Sequence, residues 1–167
     1  MRFSALLPAL LIGVAAPMLG ACALKPVYAG GASGAVAQGL AAVEVSAIPG
    51  KNGWLMRDAL QQRMGLAGAA TSRYRLDVVL DDQLKGLGLL GDDTIGRERR
   101  TLRARYRLVD LDSGETLLDA TAGSDAGIDV VSSEYATIAA EQAALENLTV
   151  DVADKIVTSL SMTLRQR

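Results

Sequence analysis

Between Tyr74 and Val131 the chain alternates apolar and polar residues in three consecutive runs, and this period constrains its fold more than any other feature. Tyr74 to Asp81 places Tyr74, Leu76, Val78 and Leu80 on one side and Arg75, Asp77, Val79 and Asp81 on the other, as successive side chains of a strand must fall. From Ile95 to Leu111 the alternation returns, with Leu102, Ala104, Tyr106 and Leu108 facing one way. Gly86, Gly88 and Gly91-Asp92-Asp93 mark the first reversal, and Asp112-Ser113-Gly114-Glu115 the second; such clusters are turn chemistry. Thr116 to Val131 continues as a looser strand interrupted by Gly123 and Gly127. Three strands joined in this way predict an antiparallel meander with one solvated face.

The flanks supply what covers the other face. Ala42 to Ile48 alternates briefly and ends at Pro49-Gly50, which predicts a short strand and a turn. Asn52 stands where an N-cap belongs, ahead of Trp54, Leu55, Ala59, Leu60 and Met64 at helical spacing, with Gly65 or Gly68 as the stop. Trp54 opens the apolar side of this helix and is expected in the core. From Ser133 the period changes: Ile138, Leu145, Leu148, Val152, Ile156, Leu160 and Leu164 recur at steps of three, four and seven, the stripe of one long amphipathic helix. Ser132 or Ser133 can cap it, and Arg165 and Arg167 suit its negative end. The expected fold is α+β, a sheet of about four strands with two helices packed on one face, in the order β-α-β-β-β-α.

The N-terminus has a different character. Met1-Arg2 precedes an apolar stretch from Phe3 to Leu19, closed by Gly20-Ala21-Cys22. A charge, an apolar run and small residues before a cut describe a signal peptide over residues 1–21. Leu19-Gly20-Ala21-Cys22 resembles the lipobox of lipoprotein precursors, which makes Cys22 the expected lipidation site. Cys22 is the one cysteine in the chain, so no internal disulfide competes for it. Multiple acyl chains anchor stably, at about 0.8 kcal/mol per buried methylene. Ala23 rather than Asp after the cysteine points to the outer membrane by known sorting rules, on its periplasmic face. Residues 22–40 form the expected lipidated N-terminus and tether, Gly/Ala-rich from Ala29 to Gly39. Residues 41–167 then make a single domain of modest core.

Chemistry is sparse. There is no His, and the Asp81-Asp82 and Asp92-Asp93 pairs read as turn residues rather than catalytic carboxylates. No catalytic residue, metal site or cofactor is expected. Lys+Arg number 17 against 19 Asp+Glu; without Arg2 the balance is more acidic still, which argues against nucleic-acid binding. The unusual feature is a row of arginines in the second run: Arg97, Arg99, Arg103, Arg105 and Arg107 fall on alternate positions, broken by Thr101, and so project from one face. Two readings stay open. Planar guanidinium forks suit the phosphates of an anionic ligand; equally, Asp77, Asp81 and Asp119 on the neighbouring strands can pair with them across the sheet.

Several short segments together resemble the lipopolysaccharide-assembly lipoprotein family, LptE. They are Cys22-Ala-Leu-Lys-Pro26-Val-Tyr28, Arg57-Asp-Ala-Leu60, Tyr74-Arg-Leu76, Tyr106-Arg-Leu-Val-Asp110 with its Ser113-Gly114 turn, and Ser133-Glu-Tyr135-Ala136. Ala23 stands where the family pattern has glycine. The resemblance implies a non-enzymatic outer-membrane lipoprotein. It would be lodged in the lumen of an LptD-like β-barrel as assembly factor and plug, with lipopolysaccharide as the ligand of the arginine row. The alternatives are a lipoprotein scaffold or pilot of another envelope complex, secretin or peptidoglycan-linked, and, more distantly, a periplasmic hydrolase.

Overall fold

A computed structural model describes residues 34–65, 71–89 and 95–166. The signal peptide, Cys22, most of the tether and the Gly91-Asp92-Asp93 turn lie outside the described residues.

The meander forms as the alternation requires. Strands β2 (Tyr74–Leu89), β3 (Ile95–Asp110) and β4 (Thr116–Asp129) pair antiparallel, and the short β1 (Val43–Val45) lies parallel beside β2, giving the order β1-β2-β3-β4. Pairing runs without a break from Tyr74 opposite Asp110 to Leu87 opposite Arg97. The β3–β4 turn is built by Asp110, whose Oδ1 accepts from the backbone N–H of Asp112 (2.9 Å) and Ser113 (3.2 Å). Gly114 completes it at φ 72°, a conformation that favours glycine.

Helix α2 (Gly50–Met64) begins after Pro49, so Asn52 lies inside its first turn instead of capping it. Gly65 ends it in the left-handed region. Its buried side is Gly53, Met56, Ala59, Leu60 and Met64. Trp54 is one step round from that stripe and is 65% exposed, which corrects its expected place in the core. Gly53 is needed where it is: a Cβ there would meet the Ile48 carbonyl oxygen at 2.4 Å. Backbone cannot yield as a side-chain tip can, so Gly53→Ala is expected to destabilise by about 1–3 kcal/mol. Equal melting temperatures for variant and wild type would contradict it.

Helix α3 (Glu134–Arg165) is capped by Ser133, which accepts from the Ala136 N–H. It runs parallel to α2, tied to it by Lys51–Gln142 and by the Arg63–Asp154 ion pair. Its buried hydroxyls, Thr149 and Ser161, donate to the carbonyls of Leu145 and Val157 four residues earlier, so neither is left unsatisfied. Ile138, expected in the buried stripe, is exposed.

A third helix was not expected. Ala35–Ala41, assigned to the tether by its small residues, forms α1, with Val36 and Leu40 buried. Gly39 lets it approach Leu164 of α3, since an added Cβ would sit 3.4 Å from that side chain. Folded structure therefore begins by residue 35. All three helices join one hydrophobic core with the sheet side bearing Leu76, Val78, Leu102, Ala104, Tyr106 and Leu108, and among the described residues the other sheet face is open.

Candidate binding face

The alternation that buries Leu102, Ala104, Tyr106 and Leu108 turns Arg97, Arg99, Arg103, Arg105 and Arg107 onto the open face, where all five are exposed. The register sets Asp77 and Asp81 of β2 opposite Arg107 and Arg103, and Asp119 and Asp129 of β4 opposite Arg107 and Arg97. Opposite Arg99 and Arg103 on β4 stand Gly127 and Gly123, with the exposed Asp125 between them opposite Thr101.

The acids use only part of the row. Arg97 pairs with Asp129 at 3.1 Å. Asp119 takes Arg105 in two contacts of 3.1 and 2.9 Å, passing over its register partner Arg107. The Arg105 hydrogen bonds hold the Asp119 carboxyl below the usual range, with the charge of Arg107 adding to the effect. On β2 the two acids turn elsewhere: Asp77 binds Arg75 and the Ser46 hydroxyl, and Asp81 accepts from Gln83. Among the described residues, Arg99, Arg103 and Arg107 make no salt bridge within 4 Å. The cross-strand ladder is therefore real at Arg97 and Arg105, and three guanidinium groups of the row stay available to a ligand.

The opposite side of the same strands carries a polar hub that the arginine row hides in the sequence. Arg100 points inward and grips Asp82 in two contacts, Nε–Oδ1 2.9 Å and Nη2–Oδ2 2.6 Å. It also donates to the Glu141 carbonyl of α3 at 3.0 Å, and Asn52 of α2 donates to Asp82 at 2.6 Å. Four elements thus meet on one ion pair. Asp82 is mid-strand, which corrects the reading of Asp81-Asp82 as turn residues. Parity was the available signal: Asp82 and Arg100 share the phase of Leu80 and Leu102.

Glu98 sits beside this hub with one carboxylate oxygen buried and without a hydrogen-bond partner among the described residues. Burial pushes its pKa up, and the neighbouring Glu141 charge adds to the rise. A carboxyl raised on folding contributes stability that is present below its unfolded pKa and lost as pH rises through the folded value. Glu98→Gln is therefore expected to melt higher than wild type near neutral pH. The difference should shrink towards zero as pH falls to about 4. A difference independent of pH across that range would rule out the titration as its cause.

No group of three or more potential metal ligands occurs among the described residues, and no described helix is long and apolar enough to cross a membrane.

Comparison with known proteins gives a consistent picture. No curated protein matches the sequence. A lipoprotein of Caulobacter crescentus CB15 is similar over 80% of this chain and 97% of its own, at 25% identity and a TM-score of 0.68. The fold also recurs in lipoprotein B from Nitrosomonas europaea, at 16% identity and a TM-score of 0.56, covering 71% of this chain and 81% of that one. Rare lipoprotein B from Shewanella oneidensis has it too, at 14% identity and a TM-score of 0.51, covering 72% and 94%. The family described as lipopolysaccharide-assembly, LptE, matches residues 40–160, all four strands and nearly all of the two long helices, and the chain belongs to that family.

Proposed function

We propose that this protein is a non-enzymatic outer-membrane lipoprotein, held through Cys22 on the periplasmic face, that supports the folding of an LptD-like lipopolysaccharide-inserting β-barrel and plugs its lumen. The family match over residues 40–160 carries the reading. The open sheet face supports it: a barrel lumen is polar, and this face offers charged side chains of both signs over three strands. The test is a mild-detergent pull-down of the tagged, lipidated protein from envelopes. Recovery of a large barrel in equal amount is expected; a secretin or a peptidoglycan enzyme in its place would favour the pilot or scaffold reading.

Within this reading, Arg99, Arg103 and Arg107 contact the phosphates of lipopolysaccharide, with Arg97 and Arg105 held in place by their acids. Each basic side chain near an anionic lipid surface contributes about 1 kcal/mol. Replacing Arg99, Arg103 and Arg107 with Gln is expected to weaken binding to lipopolysaccharide about tenfold or more. The melting temperature should hardly change, because no salt bridge is broken. Unchanged binding with a lowered melting temperature would leave the row a structural ladder only.

A further inference from the structure

The two sides of β2 are occupied very unequally. Its odd-numbered backbone groups point towards β3, as the Leu111 N–H bond to the Arg73 carbonyl fixes. Its even-numbered groups point the other way, as Tyr74 N–H to Ala42 and Ser46 N–H to Leu76 show. β1 fills that second lane only opposite Tyr74 to Leu76. The chain then turns off through Pro49 into α2. From Val78 to Gly86 the outward N–H and C=O groups have no strand beside them among the described residues.

Apolar surface lies along the same lane. Leu84 is 42% exposed although it shares the inward phase of Leu76 and Val78. An unpaired edge next to an exposed apolar side chain is a template for an added strand.

We infer that the β2 lane from Val78 to Gly86 receives an extended segment of the barrel partner, which continues the position of β1 and sets alternate apolar side chains against Leu80 and Leu84. This rests on the barrel reading above. β1 shows that the lane accepts a strand, and the hub at Asp82 fixes its floor. The outward side chains of such a segment would lie beside Val79, Asp81, Gln83 and Lys85, so polar residues suit them. A second copy of this chain fits less well, since two-fold antiparallel pairing of β2 edges about Asp81 sets that exposed carboxylate against its own copy, and like charges directly opposite are unfavourable.

Hydrogen exchange on the lipidated full chain, alone and in the complex recovered from envelopes, tests the inference. The amides of Leu80, Asp82 and Leu84 should exchange fast in the isolated protein and at least about tenfold more slowly in the complex. Leu84→Pro removes an outward N–H without touching the β2–β3 ladder, where edge proline is tolerated. It should fold and recover much less barrel than wild type. Barrel recovered in full with these amides still fast overturns the inference and leaves the barrel reading standing. Amides already slow in the isolated protein overturn it too, because the chain itself would then fill the lane. Absence of any barrel from the pull-down removes the barrel reading and this inference together. Should Leu84→Pro misfold, the wild-type exchange comparison decides alone.

Discussion

Arg100→Met lowers the free energy of unfolding by about 3 kcal/mol, measured by chemical denaturation, because it strands a carboxylate below the sheet surface. The side chains of Arg100 and Asp82 are only 14% and 13% exposed. Removing one partner of a buried pair leaves the other charge desolvated and uncompensated, at about 3–5 kcal/mol. The low end applies because Asn52 still donates to Asp82. Replacing both partners tells a different story. Arg100→Met with Asp82→Leu removes the desolvation of two ions along with their attraction, and such replacements are often neutral. The double variant is therefore expected to recover most of the loss. If it stays as unstable as the single variant, the hub stabilises by tying α2, β2, β3 and α3 together and not by satisfying a charge. The Arg100 pKa is raised, first by its hydrogen bonds to Asp82, so its guanidinium stays charged throughout the neutral range.

How far the sequence revealed this structure depends on the length of each signal. The meander was legible because three runs of seven or more alternating residues set the phase of its strands, and α3 because its apolar stripe recurs along a helix of 32 residues. Helix α1 was not, since seven residues with two buried positions, Val36 and Leu40, give a period no window can resolve amid Gly and Ala. Trp54 stands one residue off the buried phase of α2, which Gly53, Met56 and Leu60 define, and Gly53 has no side chain to mark where that phase begins. The arginine row was legible in its direction, but its pairing was not. Asp119 prefers the diagonal Arg105 over Arg107, a choice made by side-chain reach across a twisted sheet and invisible to residue spacing. Arg100 was overlooked among its neighbours although its parity sets it inside.

Leu102→Ala lowers stability by about 3 kcal/mol, while Val79→Ala on the adjacent strand changes it by less than about 0.5 kcal/mol. Leu102 is fully buried between β3 and the helical layer, in contact with the single core that α1, α2 and α3 share. Its truncation opens a cavity that the close-packed surroundings fill only in part. Val79 lies on the open face at 70% exposure, where a methyl group loses little by returning to water. The contrast matters for function. Stability in this fold is held on the helix-covered side, so the arginine face can change its contacts without unfolding the domain. Comparable losses from both substitutions, read by denaturant titration of the isolated chain, would mean that the open face is itself packed, and neutral replacements of its arginines would no longer separate binding from folding.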